Sequence, residues 1–195
     1  MRGRSDPAAA LLLGVQNADA PPRMNVFLVG PMGSGKSAVG RQLAQRLDLD
    51  FIDSDAEIEA RTGVDIAYIF EREGEAGFRS REAEVIDALS RRDRVLVSTG
   101  GGAILDAGTR ERLRTRGRVV YLRTSVDQQL ARTRRSNDRP LLNNPDPRGT
   151  LERLSEQRTP LYTEVAEIVV DTDGRKVKTV VDQICRQLGV DGVEP

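Results

Sequence analysis

The sequence predicts an α/β fold, a mostly parallel sheet of about five strands with helices on both faces. Three observations carry this. Short apolar runs alternate with segments of helical apolar spacing along the chain, a pattern that crossover connections turn into a parallel sheet. The first run, Val26-Phe27-Leu28-Val29, leads into Gly30-Pro31-Met32-Gly33-Ser34-Gly35-Lys36-Ser37. That stretch matches the phosphate-loop pattern G-x-x-x-x-G-K-[ST] in its strand–loop–helix setting. Finally, 195 residues suffice for one domain with a sizeable core, and no apolar run is long enough to span a bilayer.

Composition narrows the chemistry. Lys+Arg and Asp+Glu both number 30, so the formal net charge is zero, and a general nucleic-acid binder is disfavoured. A single cysteine excludes an intrachain disulfide framework. Cys185 sits on an apolar helical stripe and reads as a core residue. There is no histidine, which removes imidazole bases and imidazole metal ligands. Proton transfer must therefore use carboxylate, lysine, tyrosine, substrate or water.

Residues 1–23 stand apart. Two arginines precede a short apolar patch, Ala8 to Val15, and then Ala18-Asp19-Ala20-Pro21-Pro22. The patch imitates a secretory signal, but it is short and broken by Gly14; we read a disordered N-terminal extension. The domain is expected over residues 24–188, with a frayed tail at 189–195. Its first strand is Asn25–Val29, followed by the glycine loop and a helix at Lys36–Leu47. The loop amides and the positive end of that helix make an anion site. Lys36 can reach β/γ-phosphates, and the Ser37 hydroxyl can ligate Mg²⁺.

Leu49 to Asp55 reads as a second strand running into a loop. In extended geometry Asp53 and Asp55 would leave the same face; the alternative is a solvated turn in which Asp55 caps a helix. Residues 56–92 read as mostly helical, with breaks at Gly63 and at Gly74–Gly77. Arg79 and Glu82, three apart, can pair on one helix face, either at a site or as a surface ion pair. Val95-Leu96-Val97 is the next buried strand. The Ser98-Thr99-Gly100-Gly101-Gly102 that follows is either a ligand-approach loop at the sheet's carboxyl edge or a flexible turn. No aspartate ends this strand to orient a metal, so Asp53 is the nearest candidate by layout.

A helix at Asp106–Thr115, a strand at Val119–Leu122 and a helix from Ser125 carrying Arg132 follow. The polar stretch 133–149 reads as a lid in which Arg139 could reach over a phosphate. The chain closes with a helix at Arg148–Thr159, a strand at Ile168–Asp171 and a helix at Val177–Leu188. No internal repeat and no second domain are visible.

Taken together, Gly30–Ser37, Asp53-Ser54-Asp55, Phe78-Arg79 with Glu82, Gly100-Gly101-Gly102, Arg139-Pro140-Leu141-Leu142 and Arg158-Thr159-Pro160-Leu161-Tyr162 stand in the order and spacing of the shikimate kinase family. The chain resembles that family over residues 24–188. The resemblance implies a nucleoside-monophosphate-kinase-like P-loop fold with a mobile lid, in a cytoplasmic monomer with no membrane or nucleic-acid partner. The implied reaction is ATP- and Mg²⁺-dependent phosphorylation of the 3-hydroxyl of shikimate. By the same resemblance Asp55, Lys36 and Arg139 are catalytic. Gly33, Ser34, Gly35, Lys36, Ser37, Ala38, Arg132, Arg139 and Arg175 bind ATP. Asp55, Arg79, Gly101 and Arg158 bind the acceptor with Glu82 in support, and Ser37 and Asp53 hold the metal. Val177 stands where the family often has a proline near adenine. The alternatives are another P-loop small-molecule kinase and a non-catalytic ATP-binding regulator.

Overall fold

The computed structural model describes residues 24–133 and 145–190. Five strands, β1 (Val26–Val29), β2 (Asp50–Asp53), β3 (Val95–Ser98), β4 (Arg118–Arg123) and β5 (Ile168–Asp171), form one sheet in the order β2-β3-β1-β4-β5. All neighbouring pairs are parallel. The helices are α1 (Lys36–Leu47), α2 (Ser54–Thr62), α3 (Ile66–Ser90), α4 (Ala107–Arg116), α5 (Val126–Thr133), α6 (Pro147–Val165) and α7 (Val177–Leu188), with a 3-10 turn at Ala103–Leu105.

The strands alternate sides residue by residue. Phe27, Val29, Val95, Val97, Val119 and Tyr121 enter a core layer shared with α3, α4 and α6. Val26, Leu28, Leu96, Val120 and Leu122 enter a second layer with α1 and α7. Both faces are thus covered, so the strands read as unbroken apolar runs. Helix α7 shows why its segment is helical: Val180, Val181, Ile184, Cys185 and Leu188 form one buried stripe. Gly189, in the left-handed region, closes the helix, and Val190 still packs against the core. Among the described residues no helix is long and apolar enough to cross a membrane.

β1 lies between β3 and β4, so the loop after it opens at the carboxyl edge where chain connections diverge. This is where open parallel sheets hold ligands. Asn25 anchors the entry to β1: its side chain donates to the Arg92 carbonyl at 2.6 Å and accepts from the Val95 amide at 3.1 Å.

Four boundaries differ from expectation. The second aspartate strand stops at Asp53, and Asp55 already belongs to α2, because the Asp53 side chain caps that helix by accepting from the Asp55 amide. The expected break in the long helical region is real at Gly74, which is left-handed and non-helical, whereas Gly77 stays helical. Helix α6 does not end near Thr159. It runs through Pro160 to Val165, because stopping there would leave Tyr162 and Val165 out of the core they fill, at 1% and 4% exposed. Their burial outweighs the one missing helix hydrogen bond. At its other end α6 takes residues 147–149 out of the expected lid, with Asp146 as its cap. Thr133 ends α5, and residues 134–144 of the lid, including Arg139, lie outside the described residues, as does the extension 1–23.

Candidate active site

Two glycine loops build the site. The first follows β1. Gly30, Gly33 and Gly35 all have positive φ, at 144°, 74° and 90°, conformations that side chains disfavour. At Gly30 a Cβ would also sit 2.6 Å from the Leu122 carbonyl oxygen. Gly35 is the N-cap of α1, with no side-chain cap, so the helix's first amides face the loop. The Lys36 ammonium donates to the Gly30 and Pro31 carbonyls, both at 2.8 Å. Ser34 is buried beneath the loop, while Ala38 is exposed one residue beyond Ser37. Arg132 braces the outside, donating to the Gly33 carbonyl at 2.8 Å and to the Thr172 carbonyl at 3.1 Å. Arg175, whose amide also bonds the Thr172 carbonyl, stands nearby with its guanidinium on Gln183.

Asp53 joins this loop to the acidic side of the site. Its Oδ2 accepts from the Ser37 hydroxyl at 2.8 Å, and its Oδ1 caps Asp55 at 3.2 Å. A hydroxyl and a carboxylate this close suit Mg²⁺, which takes few protein ligands and completes its shell with phosphate oxygens and water. Asp55 itself is half-buried. Burial pushes its carboxyl above the ordinary aspartate range and the Asp53 charge adds to this, while Lys36 and Arg79 pull the other way.

The second glycine loop follows β3. Two of its glycines leave room for charged side-chain ends. A Cβ on Gly100 would stand 2.8 Å from Asp55 Oδ1 and closer still to Glu82 Oε1, and one on Gly102 would strike the Arg79 guanidinium. The Gly100 amide donates to Ser54 Oγ at 3.0 Å, which ties the loop to the start of α2. Arg79 donates to Glu82 Oε2 at 2.6 Å and to Glu75 at 3.1 Å, over the face of Phe78. Glu82 is only 2% exposed, so this is a buried pair and not the surface ion pair left open by the sequence. Burial raises the Glu82 carboxyl, and Arg79 opposes the rise.

From α6, Arg158 reaches the same place. It is 5% exposed, and its Nη1 lies 3.7 Å from where a Cβ on Gly101 would be. Among the described residues, Arg158 Nε and Glu82 Oε1 are buried without a hydrogen-bond partner. Leaving such groups unpaired costs about 1–3 kcal/mol each, which makes Arg158 a candidate partner for an anion. The structure therefore gathers Lys36, Ser37, Asp53, Asp55, Arg79, Glu82, Gly101 and Arg158 at one sheet edge, with Arg132 on the outer side of the phosphate loop and Arg175 turned toward Gln183. Sequence reasoning assigned no role to Ser54, Glu75 or the Tyr162 hydroxyl. For Ser54 the signal was its place between two aspartates; for the other two only the folded contact reveals them.

The shikimate kinase family's sequence profile matches residues 32–189. A shikimate kinase of Shewanella frigidimarina is 56% identical over 167 residues, covering 86% of this chain and 98% of its own. One from Alteromonas mediterranea is 54% identical over 168 residues, with the same coverage. Among solved structures, a shikimate kinase from Acinetobacter baumannii in complex with shikimate superposes with a TM-score of 0.84 at 45% identity, covering 89% of this chain and 97% of that one. A gluconokinase from Sinorhizobium meliloti, at 20% identity and a TM-score of 0.55, shares the fold alone. The chain belongs to the shikimate kinase family.

Proposed function

We propose that the chain transfers the γ-phosphate of ATP to the 3-hydroxyl of shikimate, giving shikimate 3-phosphate and ADP on the route to chorismate. One observation supports the acceptor most directly. Two arginines, one carrying a buried unpartnered Nε, converge on a glycine triplet beside the phosphate loop. A planar guanidinium fork suits a carboxylate better than a lysine point charge does.

Phosphoryl transfer is positioning plus neutralisation of charge on the transferred group. In this reading Lys36 exchanges its loop carbonyls for β/γ-phosphate oxygens. The amides of Gly33, Ser34, Gly35, Ser37 and Ala38 hold the phosphates. Arg132 and Arg175 flank the adenine side, and Arg139 approaches the γ-phosphate from the lid. Arg79 and Arg158 clamp the acceptor carboxylate, with Glu82 fixing Arg79. Asp55 orients the hydroxyl and takes its proton; its burial-raised pKa brings it nearer the working pH of a general base. Ser37 and Asp53 would hold Mg²⁺, whose charge offsets that of the phosphates when bound. We further propose that residues 24–188 act as a single domain in a cytoplasmic monomer.

The test is ADP release by purified protein with ATP and Mg²⁺, comparing shikimate, gluconate and a nucleoside monophosphate. Strong stimulation by shikimate alone is expected. Stimulation by another acceptor would reassign the two arginines, and ATP binding with no stimulation would leave a regulator.

A further inference from the structure

Helix α6 sends two groups to the glycine triplet. Arg158 and Tyr162 are four residues apart, so they stand one above the other on the same helix face. The Tyr162 hydroxyl donates to the Gly101 carbonyl at 2.5 Å, at the short end for such bonds. The ring is 1% exposed and stacks on Tyr121 at 4.9 Å between centroids. Burial pushes the phenol well above its ordinary value, so it stays a donor at any working pH.

A phenylalanine would fill the ring's space equally well. The hydroxyl is the part the core does not need, and a buried hydroxyl must have a partner. That partner is the backbone of the residue facing Arg158. Beside these groups a cavity of about 470 Å³ is lined by Arg158, Tyr162, Tyr121, Met32, Leu151 and Leu154. The phenol–carbonyl bond crosses from α6 to the glycine loop beside this cavity, next to the apolar packing of Tyr162 and Val165.

We propose that Tyr162 is a positioning residue: its bond to Gly101 sets the gap between Arg158 and the glycine wall, and with it the enzyme's selectivity for a carboxylate-bearing acceptor. The inference rests on the acceptor reading above. Pro160, between the two residues inside the helix, restrains the backbone of the same turn and helps hold their spacing.

The experiment measures steady-state kinetics of wild type, Tyr162→Phe and Tyr121→Phe with shikimate, with its methyl ester, and with varied ATP. The Phe variants keep the stacked rings, and melting curves check the fold. Tyr162→Phe is expected to lose about tenfold in kcat/KM with shikimate, as befits one buried hydrogen bond, with less than twofold loss on the ester and an unchanged KM for ATP. Tyr121→Phe is expected to retain the acid-to-ester preference. Equal losses on acid and ester, a parallel rise in KM for ATP, or the same loss in Tyr121→Phe would overturn the positioning role. If wild type shows no dependence on shikimate, the acceptor reading fails and the inference falls with it. If wild type prefers the acid and Tyr162→Phe is unchanged, only the inference fails.

Discussion

The loops after β1 and β3 are neighbours in the sheet and both are rich in glycine, yet glycine serves a different purpose in each. In the first, Gly30, Gly33 and Gly35 have positive φ, and in the proposed reading the backbone itself is the ligand-binding surface. In the second, no residue of the triplet needs a left-handed conformation; Gly100 and Gly102 are small because Asp55, Glu82 and Arg79 must come close. One loop is selected for conformation and the other for volume. In the proposed reading side chains carry the chemistry of the second loop, while backbone amides carry that of the first.

The comparison can be broken at the residue where the two loops meet. Asp55→Asn is expected to lower kcat about a thousandfold, the scale of a lost general base. Its melting temperature should rise by a few degrees, about 1 kcal/mol. The sign follows from the raised pKa: the folded state holds this proton at pH values where the unfolded chain has released it. Stability therefore carries a penalty at neutral pH that is relieved as pH falls through the folded value. For the same reason kcat/KM for shikimate should decline on acidification from a pH above the ordinary aspartate value of 3.8. A melting temperature that drops in Asp55→Asn would contradict this account of the site's electrostatics.

Lys36→Ala disables the first loop alone. It should lower kcat about 10²–10³-fold by removing charge stabilisation in the transition state, with shikimate binding measured by calorimetry left intact. Gly100→Ala disables the second alone. The added methyl displaces Asp55 and Glu82, and a loss of about 30-fold in kcat/KM for shikimate is expected, the effect of a clash worth about 2 kcal/mol, while ATP affinity stays within twofold. If Gly100→Ala weakened ATP as much as shikimate, the division of labour between the loops would be wrong. The smallest effect concerns Glu75, exposed and paired with Arg79 at 3.1 Å. It competes with an acceptor carboxylate for that arginine, so Glu75→Gln should lower KM for shikimate about twofold, the size of an exposed pair.

Much of this was legible before folding. The apolar runs and the phosphate-loop pattern placed the strands and the first glycine loop, because periodicity and glycine chemistry are local. The aspartates at 53 and 55 were visible as candidates, but their roles were not: which one caps α2 depends on where the strand stops. The Arg79–Glu82 pair was visible as spacing, but its burial comes from β3 and α6 closing over it. Pro160 pointed to a helix end, and only the core's demand for Tyr162 and Val165 carries the helix past it. The contact between Tyr162 and Gly101 spans 61 positions in the chain and has no local signature at all.

The corner at Gly74 has a consequence for tuning. It divides α3 into a short arm carrying Phe70 and a long arm carrying Phe78 and Arg79. The arms are held at their angle by the Phe70–Phe78 ring contact at 4.8 Å and by Arg81, which grips both oxygens of Glu73 across the corner. None of Phe70, Glu73 and Arg81 is among the groups assigned to the acceptor, yet they brace the helix that carries Arg79, one of the two arginines that are. On that assignment, substitutions at an outlying elbow are expected to change acceptor affinity while every residue of the binding pocket stays the same.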